Sequence, residues 1–271
     1  MSGVMIDRLL FWRKEPTVEF ICTIPAAMHM FPIKPARQYL PDWVKAEAKK
    51  FAAELKKTKG KEALRSVARC PGIRKAFSTG WVACLYQDIR LTVHADGSWE
   101  CHFPIDQTIL LPNKTNLVSD HDMNSFSSSE FLSKKRPILK INLPWLARVP
   151  KGYLLYQKPM PYQEHDMFMA GEGVFERAYG VQELNVQLLW NNPGTYLLPA
   201  GMPLAHYILV RETEAACVVR HATQQDMDDY REDSLIKNSK FVINFTEVRE
   251  HIAARYAKKK NKALSSETIS M

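Results

Sequence analysis

The spacing of hydrophobic and polar positions changes several times along the chain, and each change marks an element. Residues 18–24 are rich in β-branched and aromatic side chains and predict a first strand. A connection punctuated by Pro25, Pro32, Pro35 and Pro41 follows. Val44, Ala48, Phe51, Ala52 and Leu55 then recur at helical spacing, predicting an amphipathic helix near residues 42–59 that packs on a core. Pro41 and Asp42 suit its first turn, Lys56, Lys57 and Lys59 crowd its last, and Gly60 ends it.

Beyond Cys70-Pro71-Gly72, one helical turn over residues 73–77 ends at Gly80, and the period falls to two. Trp81, Ala83 and Leu85 alternate with Val82, Cys84 and Tyr86. Ile89, Leu91 and Val93 alternate with Arg90, Thr92 and His94. Asp96-Gly97 is a hairpin turn signal, after which Trp99, Cys101 and Phe103 return. Residues 113–133 are polar and serine-rich and read as a loop. From Ile138 to Arg211 short strands are expected over 138–143, 153–157, 184–190, 196–198 and 204–210, separated by turns such as Asn192-Pro193-Gly194 and Ala200-Gly201-Met202-Pro203. Thr223 then caps a predicted helix holding Met227, Tyr230 and Leu235. A second helix starts at Thr246 with Val248, Ile252 and Tyr256.

This succession describes a β-rich α+β protein: an antiparallel sandwich or jelly-roll-like core with N-terminal and C-terminal helices. The expected division is a β-rich domain over 1–220, with the helix near 42–59 inserted, and a C-terminal helical extension with a basic tail over 221–271. A chain of 271 residues suffices for a large core. No apolar run reaches the roughly 20 residues of a membrane helix. The first fifteen residues carry Asp7, Arg8, Arg13, Lys14 and Glu15 and no signal-peptide core, so secretion and a membrane are not expected. Five scattered cysteines without a CxxC pair argue for a reducing compartment and against structural zinc.

Charge adds one candidate. The net charge of +8 concentrates in residues 45–75 and 255–262. Lys258, Lys259, Lys260 and Lys262 form the densest run, a candidate for nonspecific contact with nucleic-acid phosphates. Tyr256 is its only aromatic neighbour, which gives base stacking little support, and solvated helix faces explain such charge equally well.

Nucleophile elbows, phosphate loops, dinucleotide fingerprints and zinc-protease helices are all missing from the sequence. One catalytic constellation is available. His94 and Asp96 have the HxD spacing, and His206 lies on a later strand. Facing inward in a jelly roll, two histidines and a carboxylate would hold Fe(II) with positions open for oxygen and substrate. Arg211 would then pair with the carboxylate of 2-oxoglutarate. Against this, Asp96 already serves the hairpin turn before Gly97. His121-Asp122 and His165-Asp166 read as exposed loop pairs. Asp226, Asp229 and Asp233 share a helix face that reads as solvated, although clustered carboxylates also suit Mg²⁺.

Several punctuation residues recur in a recognisable order: Arg69-Cys70-Pro71-Gly72, Gly80, Asp88-Ile89, Leu143-Pro144-Trp145, Val149-Pro150-Lys151-Gly152-Tyr153, Leu198-Pro199-Ala200-Gly201-Met202-Pro203-Leu204 and Arg211. The set resembles a family of uncharacterised tailed-bacteriophage proteins, over about residues 69–211. The resemblance implies a phage origin and a β-rich fold, and brings no catalytic residues. The leading expectation is therefore a non-catalytic phage protein that needs no cofactor. It would act through a host or phage protein partner, in the host cytoplasm or the virion. An iron oxygenase and a nucleic-acid-associated protein are the alternatives.

Overall fold

A computed structural model describes residues 16–57, 66, 70–104, 117–120, 137–163 and 165–239. The chain divides into two units. One comprises the chain up to Pro41 and from Arg74 to Glu214; the other comprises residues 42–73 and 215–271.

The first unit is built from antiparallel sheets. In the first sheet, β7 (Ile138–Arg148) pairs along one side with β11 (Val181–Trp190), which pairs in turn with β9 (Phe168–Ala170). The other side of β7 is shared by β1 (Glu19–Cys22) and β6 (Val118–Asp120). The second sheet runs β10 (Gly173–Glu176), β8 (Tyr153–Lys158), β13 (Pro203–Arg211), β3 (Trp81–Cys84), β2 (Lys34–Pro35). A third sheet holds β12 (Gly194–Leu198), β4 (Ile89–Val93) and β5 (Trp99–His102). The Asp96-Gly97 hairpin is present between β4 and β5, with Gly97 at φ 89°.

Period-two patterning decides what each face does. Leu139, Ile141, Leu143, Trp145 and Ala147 of β7 point inward with Leu184, Val186, Leu188 and Trp190 of β11. They meet Ala83, Leu155, Ala205 and Tyr207 of the second sheet and Ile89, Leu91 and Val93 of the third in one continuous core. Phe20 on β1 ties the first two sheets, its ring 5.7 Å from Trp81 and 6.2 Å from Tyr207. The phenol of Tyr207 donates to Gln157 Oε1 at 2.7 Å, and Gln157 Nε2 donates to the Gly171 carbonyl at 3.1 Å. This buried polar chain is satisfied at each link, as the interior requires.

The structure corrects several sequence expectations. The strand expected to stop at Leu143 continues through Pro144 for 11 residues. Pairing with β11 shifts between Glu183↔Leu146 and Asn185↔Asn142, so Pro144 sits at a bulge where its missing N–H breaks no ladder. Its carbonyl accepts from Thr23 N at 2.9 Å. The proline-rich connection after β1 contains α1 (Pro25–Met30), with Pro25 in the first turn. The expected loop over 113–133 includes the buried Leu117 and β6, and the rest of it lies outside the described residues.

The second unit contains α2 (Asp42–Lys57) and α4 (Gln224–Ser239). Along α2, Val44 is buried and Phe51 half-buried, while Ala48, Ala52 and Leu55 are exposed. The expected buried stripe is therefore only partly realised, since alanines offer little apolar area to bury. Thr223 caps α4 as expected. Its hydroxyl accepts from Asp226 N at 3.2 Å, and its own N–H donates to the Asp226 carboxylate at 2.7 Å. This is the reciprocal arrangement of a capping box. The expected helix from Thr246 lies outside the described residues.

Between α3 (Pro71–Ser78) and β3 the chain turns at Gly80. Gly80 has φ +82°, and a Cβ there would lie 2.0 Å from the Tyr207 carbonyl oxygen. Both the left-handed backbone and the contact exclude a side chain. Gly80→Ala is expected to cost at least about 3 kcal/mol in urea unfolding, or to prevent folding. A loss under about 1 kcal/mol would mean that the Gly80–β13 approach is dispensable.

Candidate functional site

The three-stranded sheet turns one face to the core and the other to solvent. Register places Leu197, Arg90 and His102 side by side on the outer face, with Thr195, Thr92 and Glu100 as the next row. Leu197 is 75% exposed despite being aliphatic. This row borders an open groove of about 530 Å³ lined by residues 88–90, 102–104 and 197–199. Ile89, Phe103, Pro104, Leu198 and Pro199 give it an apolar lining. Its size falls in the range of small-ligand sites.

The carboxylates around the groove already have partners. Asp88 Oδ1 accepts from Ala200 N at 2.7 Å, which ties together the two chain corners that flank the groove. Glu100 lies 3.3 Å from His94 Nε2 and 3.9 Å from His102 Nε2. Trp99 Nε1 donates to Asp120 Oδ1, fastening β5 to β6.

The residues expected to hold iron are not brought together. His94 follows β4 at the hairpin tip of the third sheet and faces Glu100. The Asp96 carboxylate is occupied within the turn, accepting from Ser98 N at 2.9 Å and from Ser98 Oγ at 2.7 Å. These bonds hold it below the usual carboxylate range. His206 sits in a different sheet, fully buried, with Nε2 donating to the Thr79 carbonyl at 2.6 Å. Arg211 ends β13 opposite Tyr153 and is exposed. Among the described residues no three His, Cys, Asp or Glu side chains gather in a way that could hold a metal. His94 and Asp96 in the third sheet's hairpin and His206 in the second sheet are thus not brought together as a facial triad.

The other candidates resolve similarly. His165 packs at a tilt against Phe168 with ring centroids 4.5 Å apart, and its Nδ1 lies 2.8 Å from Gln163 Nε2. Burial pushes its pKa down. On α4, Asp226 is held by Arg220 and by Thr223, Asp228 accepts from Gln224 at 3.0 Å, and Asp229 accepts from Gln225 at 3.2 Å. His121, Asp122, Lys258, Lys259, Lys260 and Lys262 lie outside the described residues. No helix among the described residues is long and apolar enough to cross a membrane.

A second small apolar cluster lies on the outer side of the second sheet, where Ala36, Val82 and Cys84 pack with Tyr39 and Met160. Burial pushes the Cys84 thiol up to about 11, and Tyr39 hydrogen-bonds to it. A nucleophilic cysteine needs the opposite environment. The groove row was missed in the sequence because alternation marks Arg90, His102 and Leu197 only as outward-facing. Their alignment depends on which strands pair.

At pH 8, iodoacetamide is expected to label Cys84 roughly 100-fold more slowly than an ordinary exposed thiol. Cys70 and Cys217, both exposed, serve as references in the same peptide-mass experiment, and equal rates would contradict the buried environment. No family model matches the chain, and no curated protein matches it.

Proposed function

We propose that the protein works by binding a partner protein rather than by catalysis, as a phage protein active in the host cytoplasm or in the particle. It does so with a jelly-roll-like sandwich as a rigid frame. The groove on the third sheet is the binding surface. The observation that carries this reading is the outer row Leu197–Arg90–His102, an exposed aliphatic side chain, a guanidinium and an imidazole set in register beside an apolar depression. Interface centres favour this combination of arginine with apolar contact area. The buried Cys84, His206 and Tyr207, by contrast, all make structural hydrogen bonds.

Tagged chain recovered from infected cells is expected to retain the same protein partner in replicate purifications. Leu197→Glu combined with Arg90→Glu is expected to lower that retention at least tenfold with unchanged circular dichroism and melting temperature, since both positions face solvent. Unchanged retention by the double variant would overturn the reading. So would one equivalent of iron in the purified protein together with consumption of 2-oxoglutarate.

A further inference from the structure

His206 is fully buried, and its two ring nitrogens differ sharply. Nε2 faces the Thr79 carbonyl at 2.6 Å. A carbonyl only accepts, so Nε2 carries the proton and Nδ1 is a lone pair. Nδ1 is itself buried and has no hydrogen-bond partner among the described residues. Protonating the ring in place would put a charged N–H where no described residue accepts it, which the interior penalises heavily.

The surroundings add to that penalty. On β8, Lys158 is the cross-strand neighbour of His206. On the other side Val82 of β3 is its neighbour, and Lys34 of β2 is opposite Val82. Cys84 on β3 and Tyr39 beyond β2 have pKa values raised by burial and stay neutral at and below pH 7. The step after α3 contributes the Thr79 carbonyl and Gly80, which carries no side chain. Among the described residues no carboxylate pairs with the imidazole.

The Thr79–Gly80 step is held from both sides. His206 bonds the Thr79 carbonyl, and Ala36 N donates to the Gly80 carbonyl at 2.9 Å. Ala36 and Tyr39 belong to the cluster that covers the buried Cys84. The imidazolium would keep its Nε2–H for Thr79, so protonation acts by driving the charged ring toward water; when the ring leaves, the Thr79 bond goes with it and the contact that anchors Ala36 and Tyr39 loosens.

We infer that the His206–Thr79 contact is a proton-operated latch, which on acidification releases the Thr79–Gly80 step and the Ala36–Tyr39 turn and uncovers Cys84. In the closed state burial lowers the histidine pKa; the Thr79 bond opposes this and Lys158 reinforces it. In the open state the ring meets water and regains an ordinary value near 6.5. The closed state is fully favoured above about pH 6.5. It loses ground as pH falls from there toward the closed-state value, by up to about tenfold in the closed-to-open ratio per pH unit.

The test uses the full chain and 4,4′-dithiodipyridine, which reacts with thiols in acid. Labelling of Cys84 is read by peptide mass spectrometry against Cys70 on the same molecules, from pH 8 to pH 5. The expected result is a Cys84-to-Cys70 ratio that rises by up to about tenfold per unit below pH 6.5. His206→Gln, whose amide can still donate to Thr79, is expected to flatten the rise. Lys158→Met keeps the histidine and is expected to make it shallower, and His165→Gln is expected to leave it unchanged. A flat ratio in the unsubstituted protein, or the same slope in His206→Gln, overturns the latch. If His206→Gln does not fold, ring titration by NMR decides: a His206 resonance titrating near pH 6.5 without any change in Cys84 labelling also overturns it.

Discussion

Leu85 holds two sheets in register through its own backbone. Its N–H donates to the Met202 carbonyl at 2.9 Å, and its carbonyl accepts from Gly201 N at 2.7 Å. Through these two bonds the β3–β13 pair of one sheet runs on into the β4–β12 pair of another, so that two strands bend together as one ribbon. The Leu85 side chain is fully buried in the shared core. The Asp88 carboxylate closes the bend three residues later by taking the Ala200 N–H. Each backbone bond contributes on the order of 1 kcal/mol net, and burial of the leucine about 2 kcal/mol. Their larger effect is geometric: they fix which residues of β4 and β12 stand opposite each other.

That register makes the groove. Arg90 and Leu197 are over 100 residues apart in sequence, and they become neighbours because β4 and β12 pair antiparallel from Ile89↔Leu198 to Val93↔Gly194. The same ribbon places His206 beneath the Thr79–Gly80 step. The exposed row and the buried imidazole are thus two products of one bent strand pair, one facing water and the other sealed from it. Chemistry that relies on mobile, ionised side chains has little opportunity in the sealed part, where the thiol, the phenol and the imidazole are all kept neutral by burial.

Much of the frame was legible in the sequence because long strands with one buried face repeat every second residue. β4 and β11 announce themselves in this way, the four-residue β5 shows the same alternation only because it follows the Asp96-Gly97 turn, and β13, buried on both faces, shows instead as an apolar run between turns. Strands of two to four residues such as β2, β6, β9 and β10 offer no period, and tertiary pairing alone makes them strands. Pro144 misled because proline normally ends a strand; here a bulge and the incoming β1 accommodate it. The site was less legible. His206 drew attention as a metal ligand, yet its role depends on a carbonyl 127 residues away in sequence. Asp96 was readable as a turn residue, and it makes the bonds a turn aspartate makes. Neither the unpartnered Nδ1 nor the alignment of Leu197 with Arg90 leaves a trace in local pattern.

The edge of β7 is shared between β1 and β6, and β1 is bound far from its own sequence neighbourhood. Glu19 meets Arg148 across 129 residues at 2.5 Å, and the backbone partners of Phe20 and Ile21 are Ala147 and Leu146. On a ribosome adding roughly 5–20 residues per second, β1 emerges on the order of ten seconds before the strand that will hold it. During that interval an apolar segment containing Phe20, Ile21 and Cys22 has no native partner to pair with. That edge of the first sheet therefore cannot close until β7 has been made, and a chaperone that shields the nascent β1 would act in that interval.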